Sequence, residues 1–172
     1  MAVSKYIEEV AGQLQEGTPK QAGGAGSEEK IIASDAAGLL AASFLPVGVG
    51  VEAVNVVTSE NLAAGDLVNL HLDGGVIKAR KADATTAGKE ADGFVTGAVT
   101  APSATDVFLE GRNTAVATTM TLGARQFLST TAGQVTETAP SATGNVVQIV
   151  GRAYATGAMT TENFSGVTVV KA

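Results

Sequence analysis

The chain has 172 residues, a net charge of −6 and an apolar fraction of 45%, much of it alanine, with only 4% aromatic residues. An acidic balance, with a pI near 4.7, argues against a nucleic-acid binder, which needs a basic face to displace counterions. With no cysteine, disulfide scaffolds, thiol nucleophiles and cysteine-based zinc sites are excluded.

A core built from Val, Leu, Ile and a few Phe is thin, and thin cores borrow burial from a partner. The composition therefore points to a homo-oligomer or a larger protein surface. A charged fraction of 16%, where about a quarter is usual, fits a surface that lies against other proteins.

In chain order, Val3, Tyr6, Ile7, Val10 and Leu14 recur at intervals of three and four. That spacing predicts a short amphipathic helix over 3–15, with Ser4 as N-cap and Glu8 and Glu9 in its first turns. Such a helix is marginal alone and needs something to lie on, which makes Tyr6, Ile7, Val10 and Leu14 candidate docking residues. The first nine residues lack a basic-then-apolar pattern, so no secretion signal is expected. Residues 16–29 carry four glycines and a proline and read as linker or extended arm. A short strand is expected over Lys30–Ala33. The uncharged run from Ala36 to Val51 is shorter than the roughly 20 residues a membrane span needs and is broken by Gly38, Pro46, Gly48 and Gly50. Within it, burying each of Leu39, Leu40, Phe44 and Leu45 is worth about 1.5–3 kcal/mol. They are expected to pack against the β domain or a neighbouring subunit, with Leu39, Phe44, Leu45 and Pro46 as further interface candidates. Residues 1–50 are thus an N-terminal helix and extended docking arm, and 51–172 a β domain.

From Val51 onward the pattern is one of short strands. Glu52–Thr58 is rich in β-branched residues, and a strand from Leu67 or Val68 to Leu72 and another over Val76–Lys81 flank the turn Asp73-Gly74-Gly75. Thr105–Glu110 reads as a buried strand and Thr114–Met120 as a weaker one. Val146–Val150 is the clearest, Ala153–Ala155 extends or follows it, and Gly166–Val170 closes the chain. About ten or eleven strands at intervals of roughly 8–12 residues predict an all-β fold, a small barrel or sandwich. An imperfect internal repeat runs through it. Gly65, Gly75 and Gly93 each have a partner 58 residues on, at Gly123, Gly133 and Gly151 (123 − 65, 133 − 75, 151 − 93).

Catalytic equipment is lacking. His71 is a lone histidine between two leucines, and no Gly-x-Ser-x-Gly elbow accompanies it. Asp66, Asp73, Asp83 and Asp92 do not form an Asp-x-Asp-x-Asp-Gly calcium run. Lys78, Arg80 and Lys81 lie among Asp83, Glu90 and Asp92 and read as a solvated strand face. Phe94, Phe108, Phe127, Tyr154 and Phe164 sit in apolar contexts and are expected in the core; with two Tyr and no Trp, a sugar-binding platform is poorly supplied. The expectation is a non-enzyme without cofactor or metal, that binds neither nucleic acid nor membrane.

The string Ile31-Ile-Ala-Ser-Asp-Ala-Ala-Gly-Leu-Leu-Ala-Ala-Ser-Phe-Leu-Pro-Val-Gly-Val-Gly50 resembles the arm of small tailed-bacteriophage virion proteins. Leu62–Val68, Lys78–Asp83, Ala91–Val95 and Pro140–Gly151 are similar to the same group. These are capsid decoration (cement), head-fibre or tail-fibre-like proteins, and the likeness covers about residues 30–155. The resemblance implies a β domain on the outer capsid surface of a virion made in a bacterial cytoplasm. There it would bridge neighbouring major capsid protein subunits, with a homotrimer favoured. The alternative is a tail-fibre or baseplate component, or a receptor- or glycan-binding β module.

Overall fold

The N-terminal segment forms a β-hairpin, not the helix expected over 3–15. The computed structural model describes residues 5–20, 31–34, 52–161, 164 and 168–172, and among these no helix occurs. Tyr6–Val10 (β1) and Gln13–Gly17 (β2) pair antiparallel, with Val10 opposite Gln13. Ala11 and Gly12, at φ 53° and 78°, form the two-residue turn. Positive φ at both central positions gives the backbone twist that joins right-twisted strands, and Gly12 adopts it without a Cβ penalty. The apolar spacing of three and four was compatible with a helix, but the two-residue turn between two five-residue runs decided for strands. A parallel bridge between Lys20 and Ile32 is what remains of the strand expected over 30–33. The expected interface residues Leu39, Phe44, Leu45 and Pro46 lie outside the described residues, as do Leu40, Lys30 and residues 21–29.

The chain divides into two units, residues 1–50 and 51–172. In the second, Ala53–Thr58 (β3), Leu67–Asp73 (β4), Val76–Lys81 (β5), Gly93–Phe94 (β6) and Ala104–Phe108 (β7) close a barrel in the order β3-β5-β4-β6-β7. Its seam is the parallel pair β3–β5, with Val57 opposite Lys78. Then come Gly111–Asn113 (β8), Arg125–Leu128 (β9), Val135–Thr136 (β10), Val146–Val147 (β11), Ile149–Ala155 (β12), Ala158–Thr161 (β13) and Val169–Val170 (β14). Five of these make an open sheet in the order β10-β9-β12-β13-β8, and β11 pairs with β14. The weak strand expected over 114–120 is absent; the chain pairs earlier, at 111–113. The strand expected over 146–150 is split at Gln148, whose side chain is buried.

The 58-residue spacing is visible in the backbone. Gly65 N–H donates to Val95 O and Gly123 N–H to Ala153 O (123 − 65 and 153 − 95 are both 58). Val95 N–H donates to Asp66 O and Ala153 N–H to Ala124 O, again 58 apart. Val68 faces Gly93 as Gln126 faces Gly151. The central strands β4 and β9 each lie between equivalent neighbours, β5 and β6 for one, β10 and β12 for the other. Two copies of one five-stranded unit therefore stand in tandem, the first closed into a barrel and the second open.

The core explains why one copy closes and the other does not. Inside the barrel, Leu62, Val68, Ala79, Val95 and Val107 pack together with Val54, Val56, Leu70 and Leu109. The counterparts of Leu62, Leu70 and Val95 are Met120, Leu128 and Ala153, and these also face inward. They pack, however, against Leu67, Ala82, Ala84, Ala91 and Phe94 of the first copy. β4 is thus buried on both faces, Val68 toward the barrel interior and Leu67 toward the open sheet. Outward-facing side chains of the barrel fill the space that closure of the second copy would occupy.

Candidate interaction surfaces

The hairpin residues singled out from the sequence do not share one face. A strand alternates sides at every residue, so Tyr6 and Val10 lie on one face of the ribbon and Ile7 and Leu14 on the other. Ile7 is 67% and Leu14 78% exposed, with Glu9 and Glu16 beside them; Lys5 Nζ holds Glu16 at 2.7 Å. Tyr6 is partly buried, donates to Glu8 Oε2 at 3.0 Å and stacks over Gly17.

The polar groups of the barrel are mostly engaged with one another. Lys78 pairs with Asp73 at 2.9 Å and Lys81 with Asp66 at 3.2 Å. Arg80 donates to Asn69 Oδ1 and Gly88 O. The basic run is therefore tied down by its own fold. His71 Nε2 lies 3.5 Å from Ser59 Oγ, and among the described residues no carboxylate hydrogen-bonds to the ring, whose Nδ1 is buried without a partner, so the pair is not arranged as a nucleophile and base. Burial pushes the Asp92 carboxyl above its usual range, against the opposing pull of its bonds from Leu70 N–H and Asn69. Burial also acts on Asp83, but the Thr85 hydrogen bonds and Lys89 outweigh it and hold that carboxyl low. Among the described residues no three His, Asp or Glu side chains come together as a cation site.

The surface that sequence reasoning missed is the outer face of the open sheet. Arg125 on β9 lies opposite Arg152 on β12, Arg152 opposite Thr160 on β13, and Thr160 opposite Arg112 on β8. With strands about 4.8 Å apart, the row spans about 14 Å. All four side chains are exposed. The three arginines are the only charged residues in the five strands and three of the four arginines in the chain. Among the described residues none of them forms an ion pair. Arg112 lies over the ring of Tyr154, 4.4 Å from its centroid, and Arg152 donates to Gly123 O at 2.7 Å. Tyr154, expected in the core, is instead 36% exposed on this face, as is Ile149, while Phe127 is half-buried there. Phe94 and Phe164 are in the core as expected.

The repeat sharpens the observation. Counting back 58 residues, Arg125 corresponds to Leu67 and Arg152 to Phe94 (125 − 67, 152 − 94), both fully buried in the first copy. The same face of the same unit is apolar and covered in one copy, cationic and open in the other. The chain matches no protein-family model, no curated protein and no solved structure.

Proposed function

We propose that this chain is a non-enzymatic structural protein of a tailed-phage virion. It decorates the outer capsid surface as a homotrimer and ties neighbouring major capsid protein subunits together. The observation that carries the reading is the N-terminal hairpin. A two-stranded ribbon is marginal in water by itself, and this one presents Ile7 and Leu14 to solvent on a single face. An attachment element of that kind gains order and burial when it lies on another surface. Repeated by symmetry on one oligomer, modest contacts become strong avidity.

The test is a double substitution, Ile7→Glu with Leu14→Glu, in the full chain. It should abolish co-purification with particles, while circular dichroism and the melting temperature stay at the parent values because both positions face water. Decoration that survives the change overturns the attachment role. Immunogold labelling of particles distinguishes the locations: label on the head agrees with the reading, and label confined to the tail assigns the chain to a fibre or baseplate instead.

A further inference from the structure

We propose that the arginine face of the open sheet is a self-association surface that binds the outer β3–β7 wall of a second copy of this chain. Like charges placed opposite one another across strands destabilise a sheet, so Arg125 beside Arg152 is unfavourable for the isolated fold. The composition is that of an interface centre: Arg, Tyr, Phe and Ile, with neither Lys nor carboxylate in the five strands. Arginine forks match carboxylates in two-point geometry. The molecule as a whole carries −6, so carboxylates outnumber cations on the rest of its surface.

The same excess of carboxylates supplies the counterface. The outer side of β3 and β7 exposes Ala53, Asn55, Val57, Ala104 and Asp106, with no cation on either strand, and Glu110, two residues after β7, is exposed as well. Asp106 is exposed, and its Oδ1 accepts from Asn55 Nδ2 at 2.7 Å. Because the two surfaces differ, the contact is head-to-tail and closes into a ring when the rotation permits. This inference goes beyond the virion reading and does not depend on where the protein works.

The experiment is sedimentation equilibrium of the full chain at low and high salt. The parent should associate at low salt and dissociate as salt rises. Replacing all three residues (Arg112→Gln, Arg125→Gln, Arg152→Gln) should weaken association about ten- to a hundredfold, about 1.4–2.8 kcal/mol. Asp106→Lys with Glu110→Lys should weaken it similarly from the other side. Combining those two changes with Arg125→Glu and Arg152→Glu should restore it. A parent that stays monomeric at its solubility limit makes the arginines a solvated face of the second copy and overturns the proposal. So does association indifferent to the arginine changes, or charge reversal that fails to restore it. If the monomer instead shifts the mobility of a single-stranded DNA oligonucleotide, the face belongs to a polyanion and the proposal is equally lost.

Discussion

Asp92 shows how one residue carries a pH dependence. Burial is the largest influence on its carboxyl and raises it, so the folded chain holds that proton more tightly than the unfolded chain does. The cost of the buried charge is therefore absent below the ordinary value of 3.8 and grows as the pH rises through the raised native value. Leu70 N–H and Asn69 Nδ2 both donate to the same oxygen, Oδ2, which an amide oxygen can replace. Asp92→Asn should thus gain stability relative to the parent at pH 7 more than at pH 4, as read from urea unfolding at the two values. An advantage that shrinks with pH would reverse the assignment. Asp83 acts in the opposite sense: its carboxyl is held low, so its contribution is present above the ordinary value and lost as the pH falls through the native one.

At the level of the element, the turns that lead into β4 and β9 are equivalent by backbone but not by surroundings. Gly65 and Gly123 have φ of 83° and 78°, and each precedes a central strand by two residues. A Cβ built on Gly65 would stand 2.0 Å from Ala115 O, whereas one on Gly123 meets nothing within 4 Å. Gly123→Ala should cost only the left-handed penalty, about 1–2 kcal/mol. Gly65→Ala adds a backbone collision that no side-chain rotation relieves, and should cost about 3 kcal/mol or more. Denaturant melts of the two variants check the ranking. The glycine spacing was legible in the sequence, since it follows from residues within each turn. That one turn is packed under β8 and the other lies open was not, because the neighbour that decides it is Ala115, far along the chain. The hairpin gives the same lesson: Gly12 was the available sign of a two-residue turn, and the alternating faces of Ile7 and Leu14 follow only once strands are adopted.

For the whole β unit, the two copies are joined by apolar packing and by a small set of buried polar bonds. Gln148 is 1% exposed, its Oε1 accepts from Ala91 N–H, and its Nε2 donates to Ala91 O and Phe164 O. It acts as a strand backbone would, linking the second copy to the first. Asn113 does likewise, donating to Gly65 O at 2.8 Å. Gln148→Ala would leave buried backbone groups of Ala91 without partners and should destabilise by about 2–4 kcal/mol. Because the bonds span both copies, a single cooperative transition in the parent should broaden or split in the variant, which calorimetry would detect.

By itself the amino-acid sequence determined the all-β class, the spans of β3, β4, β5 and β7 to within a residue or two, and the 58-residue repeat. These depend on side-chain alternation and turn chemistry, which act between residues a few positions apart. Only the tertiary structure decided that one copy closes while its twin stays open, and that Arg112, Arg125 and Arg152 form one row. Those arginines are 13 and 27 residues apart (125 − 112, 152 − 125), and strand register alone brings them together. The row needs β9 beside β12 and β13 beside β8, pairings between segments distant in the chain, and no pattern within one strand encodes which strand lies next to it.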